Sequence, residues 1–276
     1  MSPSSANAAE ERPRPSDLPW DPAPPYCDTS LYRRKVARPL ARKVAPLLAA
    51  LGFSGNGVSL LKLLVGLPGA LLLVSTDPRV GLLGMLLLQV HFILDAADGD
   101  VARRRGQGGN LAGEYLDKLF DHLPKTAMYF FWGWGAFRLT GSAVPLLCGA
   151  FLAAWTIYPR FCLVETLLER LDKAPGVLRR PEFRTALGAA FVTTQQRGRA
   201  DFVLTLLVHP AMNLLTLFFA AEILLPRLTM TGHDLPLRLI LLLGYTAVSA
   251  ANFARKAVHH VRALDFAHLD PPREQP

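Results

Sequence analysis

The stretch from Asp95 to Asp121, DAADGDVARRRGQGGNLAGEYLDKLFD, holds five aspartates and one glutamate. On a helix, Asp95 and Asp98 stand three residues apart and Asp117 and Asp121 four apart, so each pair shares a face. Gly106, Gly108, Gly109 and Asn110 between them are turn-formers, so two helices can fold back on one another and bring four carboxylates together. Unpaired, those charges repel, and each is costly to keep in a low-dielectric site unless it is neutralised. Divalent cations solve that problem. Oxygen-only ligands suit Mg²⁺ or Mn²⁺, while Cys27, Cys148 and Cys162 are scattered and no histidine has zinc-ligand spacing. Two such ions about 4 Å apart would polarise a phosphoryl oxygen and steady the charge on a leaving phosphate. Carboxylates at helix ends can also be simple caps, but an acid cluster of this density beside apolar spans marks function. Asp100 and Glu114 project away from the paired aspartates by helical geometry, which implies solvated or supporting roles.

The elements that must position these residues are membrane spans. Of the 276 residues, 51% are hydrophobic and only 19% charged, and several apolar runs approach the roughly 20 residues that cross a hydrocarbon core. Six spans are expected at 57–75, 80–96, 124–138, 142–159, 202–225 and 236–254. With both termini cytoplasmic, 25 of the 30 Lys and Arg fall in inner segments, against Arg79, Arg138, Arg227 and Arg238 at the outer ones. The acid cluster then lies at the cytoplasmic edge. Residues 31–51 place Val36, Leu40, Val44, Leu47 and Leu51 at helical spacing with Arg33, Arg34, Arg38, Arg42 and Lys43 largely opposite, the pattern of a basic helix on the membrane surface. Pro39 and Pro46 predict a break in it. The first thirty residues carry seven prolines and no signal-peptide pattern, and are expected to be a disordered tail. The expected fold class is therefore an all-α membrane protein of six transmembrane helices preceded by a basic amphipathic surface helix. Its expected parts are a tail at 1–30, a juxtamembrane segment at 31–56, a six-helix domain at 57–258 and a polar tail at 259–276. The net charge of +8 reflects basic flanks of spans, and no nucleic-acid-binding motif is present.

Other polar residues have plainer readings. Lys62 is close enough to the inner end of the first span to snorkel, a reading preferred over substrate binding, and His91, one turn before Asp95, is read as a packing residue that could instead orient that aspartate. Arg104 and Arg105 fit a positive-inside flank. Lys125, Arg160, Arg197 and Arg199 are candidates for an acceptor-phosphate pocket. Glu222, near the outer end of the fifth span, has no evident partner in the sequence.

The cluster resembles the signature of the CDP-alcohol phosphatidyltransferases, D-x-x-D-G-x-x-A-R followed by G-x-x-x-D-x-x-x-D. Asp95, Asp98, Gly99, Ala102 and Arg103 match its first half, and Gly113, Asp117 and Asp121 its second. Nine residues separate Arg103 from Gly113 where the family usually has eight, and the flexible Gly108-Gly109 turn is the expected place for the extra one. Ser54-Gly55-Asn56-Gly57-Val58-Ser59 resembles the family's Pro-Asn-x-x-Thr at the start of its first span, with Gly for Pro and Ser for Thr, and carries no site assignment. The resemblance implies that Asp95, Asp98, Asp117 and Asp121 hold two ions of Mg²⁺ or Mn²⁺, with Asp121 also able to act as the base. It implies that Asp98, Gly99, Ala102, Arg103 and Gly113 bind the CDP substrate, the small residues leaving room for the nucleotide and Arg103 neutralising the diphosphate. The implied reaction is phosphatidyl transfer from CDP-diacylglycerol to a small polar alcohol, with CMP released, in a membrane and by a homodimer. Transfer of a CDP-linked head group such as choline or ethanolamine phosphate to diacylglycerol uses the same signature. A cation transporter is the alternative of another class, but it would scatter its charges at mid-membrane depth rather than at one edge.

Overall fold

The computed structural model describes residues 32–106, 111–173, 211–230 and 233–263. The chain enters through a π-helical turn, Arg33–Ala37, that runs directly into α1, Arg38–Ala50. The expected break takes the form of a change of helix type: the π-helical turn ends just before Pro39, and α1 continues through Pro46 at the loss of one backbone bond. α1 turns a stripe of Ala37, Ala41, Ala45 and Leu48 into the protein and leaves Val36, Leu40, Leu47 and Leu51 exposed. Ala41, Ala45 and Leu48 pack in a cluster with Val58 of the next helix and with Leu94, Ala97 and Val101, while Ala37 of the entry turn joins the main core.

α2, Gly55–Leu71, starts at Ser54, whose side chain accepts the Gly57 N–H at 3.0 Å, and tightens at its far end into a 3₁₀ turn, Leu72–Val74. α3, Pro78–Arg104, is capped by Asp77, which accepts the Arg79 N–H at 2.9 Å, and has Pro78 in the first turn. It ends with Arg103 and Arg104 in the last turn and Gly106 at φ +64°, a left-handed conformation that glycine adopts without strain. α4, Leu111–Thr140, α5, Ala143–Lys173, and α6, Ala211–Leu224, follow, and α7, Leu237–Ala263, closes the described chain. Between α6 and α7 lies an antiparallel pair, β1, Arg227–Met230, and β2, His233–Pro236, in the register Arg227 to Pro236. This hairpin is a small addition to a chain that is otherwise helical, as the all-α class requires, and its four-residue strands are too short for alternation to be read in the sequence.

α2 and α3 approach closely because small residues meet between them. A Cβ on Gly69 would lie 2.9 Å from the Gly84 carbonyl oxygen, and one on Gly55 would lie 2.7 Å from the Ala102 Cβ. The main core gathers Leu73, Met85, Leu88, Met128, Trp132, Leu215, Phe219 and Leu242 from five elements. Polar contacts tie it together: Tyr32 donates to Gln89, whose amide donates to Asn213 Oδ1 and Thr216 Oγ1, both at 3.0 Å. The described helices overlap the places of the expected spans, the fifth only over Ala211–Leu224, since 202–210 lie outside the described residues. Three of them, Gly55–Val74, Pro78–Arg104 and Leu237–Arg255, are long and apolar enough to cross a membrane, and Ala143–Tyr158 and Asn213–Leu224 are shorter apolar helices. The Gly108-Gly109 turn lies outside the described residues, but its flanks are two separate helices, α3 and α4, as expected.

Candidate active site

The last turns of α3 supply Asp95 and Asp98, and the first turns of α4 supply Asp117 and Asp121. One carboxylate oxygen from each of Asp95, Asp98 and Asp117 lies within 4.8 Å of the others. Asp121 is not part of that trio. It stands on the wall of the same cavity, of about 270 Å³, paired with Lys125 one turn on and 3.9 Å from His91 Nε2. Gly99 and Arg103 also line this cavity, as do Arg33 and Arg38 from the N-terminal helix.

The centre of the trio holds an ammonium group. Lys62 Nζ donates to Asp95 Oδ1 at 2.8 Å, to Asp98 Oδ2 at 2.9 Å and to Asp117 Oδ1. Ser59, one turn earlier on α2, donates to Asp98 Oδ2 at 3.1 Å. Lys62 is fully buried, so the snorkelling expected from its depth is overturned: the close packing of α2 on α3 offers it carboxylates in place of water. His91 is also fully buried, and its Nδ1 lies 2.9 Å from the Lys62 carbonyl oxygen, which makes Nδ1 the protonated nitrogen that donates. The imidazole therefore fixes the Lys62 backbone and does not bond Asp95.

Asp100 is buried rather than solvated, paired with Arg103 and 3.8 Å from Arg38 Nη1, whereas Glu114 is exposed. A Cβ on Gly99 would come within 3.3 Å of Arg103 Nη1, so the glycine leaves that guanidinium its place. Ala102 and Gly113 face α2: the first meets Gly55, and a Cβ on the second would lie 2.9 Å from Asn56 Oδ1. Arg105 donates to the Ala49 carbonyl at 2.9 Å and so ties the end of α3 to α1. Arg160 is carried by α5, while Arg197 and Arg199 fall outside the described residues. Glu222, for which the sequence suggests no partner, is gripped by Arg238 Nε at 3.1 Å to both carboxylate oxygens, and Arg238 also donates to the Ser75 carbonyl.

Sequence reasoning thus ranks a site role for Lys62 second and misses Ser59, Arg33 and Arg38 as residues of the site. Gly55, Ser59, Lys62 and Gly66 recur at four, three and four residues on α2, a small and polar stripe in an otherwise apolar helix, and that stripe is the signal that was available. Arg33 and Arg38 were visible only as basic residues of a surface helix. Arg33 Nη2 stands 3.6 Å from Asp95 Oδ2, half-way between a surface charge and a site residue.

Hard carboxylate oxygens that converge within 4.8 Å, with a cation already among them, are a donor set that fits a divalent metal. The CDP-alcohol phosphatidyltransferase family model matches residues 54–214, more than half of the chain, and the chain belongs to that family. No curated protein matches it. It is accordingly a membrane phosphotransferase of phospholipid synthesis that acts on CDP-alcohol substrates, in a family generally dependent on divalent metals.

Proposed function

We propose that the protein transfers a phosphatidyl group from CDP-diacylglycerol to a small polar alcohol and releases CMP. The observation that carries this is the convergence of Asp95 and Asp98 from α3 with Asp117 from α4, at the mouth of a cavity that arginines line. Asp95, Asp98, Asp117 and Asp121 would hold two ions of Mg²⁺ or Mn²⁺, which when bound supply Lewis-acid polarisation of the phosphoryl oxygens. The chain's own residues do the rest. Arg103, with Arg33 and Arg38 across the cavity, attracts and orients the diphosphate through charge-assisted hydrogen bonds. Asp98 and Gly99 line the cavity in which the nucleotide would lie, and Ala102 and Gly113, small enough for α2 to pack against them at Gly55 and Asn56, would serve the CDP substrate by holding that wall in place. Asp121 accepts the proton of the acceptor hydroxyl as that oxygen forms its bond to the lipid-side phosphorus and the bond to CMP breaks. Most of the acceleration comes from positioning and fixed charge.

The catalytic domain we place at 57–258, with six spans and both termini on the cytoplasmic side, from the 25 basic residues on inner segments. The active site then opens to the cytoplasm, where CDP-linked donors and polar acceptors meet it.

CMP release by the purified protein tests the reading. CDP-diacylglycerol with a panel of small alcohols should give CMP, and CDP-choline or CDP-ethanolamine with diacylglycerol should not. CMP from the second set alone would reverse the donor assignment. Ion flux in proteoliposomes without CMP release would replace the reaction by transport.

A further inference from the structure

We propose that the Lys62 ammonium is a built-in counter-cation, which holds Asp95, Asp98 and Asp117 together in the ion-free protein and competes with divalent cations for their oxygens. This rests on the reading of those aspartates as metal ligands. Each of the three gives Lys62 one oxygen, and Lys62 is fully buried among them. The neighbouring cations are engaged elsewhere: Lys125 pairs with Asp121, and Arg103 with Asp100. Arg33 stands 3.6 Å from Asp95. Lys62 thus donates a hydrogen bond to all three carboxylates.

The construction of the site favours an exchangeable cation. His91 fixes the Lys62 main chain at its carbonyl, but four methylenes with rotatable bonds separate that anchor from the ammonium. Three carboxyl groups outnumber the one ammonium, and Asp117 stays part exposed to the cavity, so the place continues to attract cations. A divalent ion and an ammonium among the same three carboxylates repel each other at short range, so binding of the first must displace the second. The lysine therefore weakens cation binding while it protects the ion-free site from the repulsion of its own carboxylates.

Mn²⁺ binding to the detergent-purified protein, followed by the EPR signal of free Mn²⁺, tests this on wild type and Lys62→Met. The variant should bind Mn²⁺ at least tenfold more tightly, and should melt at a lower temperature than wild type in chelator. A purely structural role predicts the opposite for affinity, since a disordered site binds more weakly. Equal or weaker Mn²⁺ binding by Lys62→Met, beside saturable binding by wild type, overturns the proposal and leaves the metal reading intact. No saturable binding by wild type overturns both. Should Lys62→Met not accumulate, the double variant Lys62→Met/Asp98→Asn removes one charge of each sign and should fold and melt in chelator near wild type. Its failure to do so also overturns the proposal.

Discussion

Gly55 sets the distance between the helix that carries Lys62 and the helix that carries Asp95 and Asp98. A Cβ there would lie 2.7 Å from the Ala102 Cβ, whereas two carbons rest at about 3.5–4.0 Å. Gly55→Ala must therefore push the start of α2 away from α3 by about 1 Å, because both contacting atoms are attached to helical backbone. The shift acts one turn from Ser59 and would loosen the bond by which that hydroxyl positions Asp98, which now measures 3.1 Å. A displacement of about 1 Å in a catalytic constellation costs on the order of a hundredfold in rate, or about 2.7 kcal/mol of transition-state stabilisation. The assay is metal-dependent CMP release, with thermal melting as a check that the variant is folded. Ala102→Gly in the Gly55→Ala background removes the colliding methyl, and the Ala102 Cα, at 3.3 Å from the new Cβ, requires only a few tenths of an ångström. The double variant should recover to within about fivefold of wild type, at the expense of about 1 kcal/mol of stability for glycine in a helix. Wild-type activity in Gly55→Ala, or a double variant no better than the single, would refute the reasoning.

Asp117→Asn should abolish CMP release in a protein that still elutes as a folded species in detergent, because a charged oxygen is lost without a change of volume. Removal of divalent ions with a chelator should abolish activity, and either Mg²⁺ or Mn²⁺ should restore it; full activity in rigorously stripped protein would count against the metal reading. Deletion of Gly108 should leave CMP release within about tenfold of wild type, a loss of under ~1.4 kcal/mol, because α3 and α4 are separate helices and each aspartate pair keeps its internal spacing. Arg238→Met should lower stability by about 3 kcal/mol, read from thermal melting, since it strands the buried Glu222 carboxylate, yet it should leave the KM for the CDP donor unchanged at permissive temperature.

The aspartates were legible because their spacing is a property of single helices: three residues on α3 and four on α4 fix each pair whatever the rest of the chain does. That α3 and α4 end and begin where they do was legible as well, from Gly106 and the turn-formers after it. The residues that complete the site were not, since they reach it through packing between helices distant in the chain. Lys62 shows why. Depth in the span, weighed against lipid and water alone, sends a lysine towards the nearer surface. Its actual surroundings are the Asp95 and Asp98 face of α3, 33 and 36 residues away, which α2 can approach only because Gly55 and Gly69 carry no side chain. The Glu222–Arg238 pair obeys the same logic at 16 residues, joined by a hairpin too short to be read. Arg33 and Arg38 carry it furthest: a helix whose basic residues suit a membrane surface is turned so that alanines meet α3, and the turn delivers two guanidiniums to the cavity. In each case a charge that the sequence leaves without an explanation is the mark of an interhelical contact, because a buried charge in this setting persists only where another helix brings its opposite. An unpaired lysine or glutamate within an apolar span is thus better read as half of a contact still to be found than as a residue on its way to water.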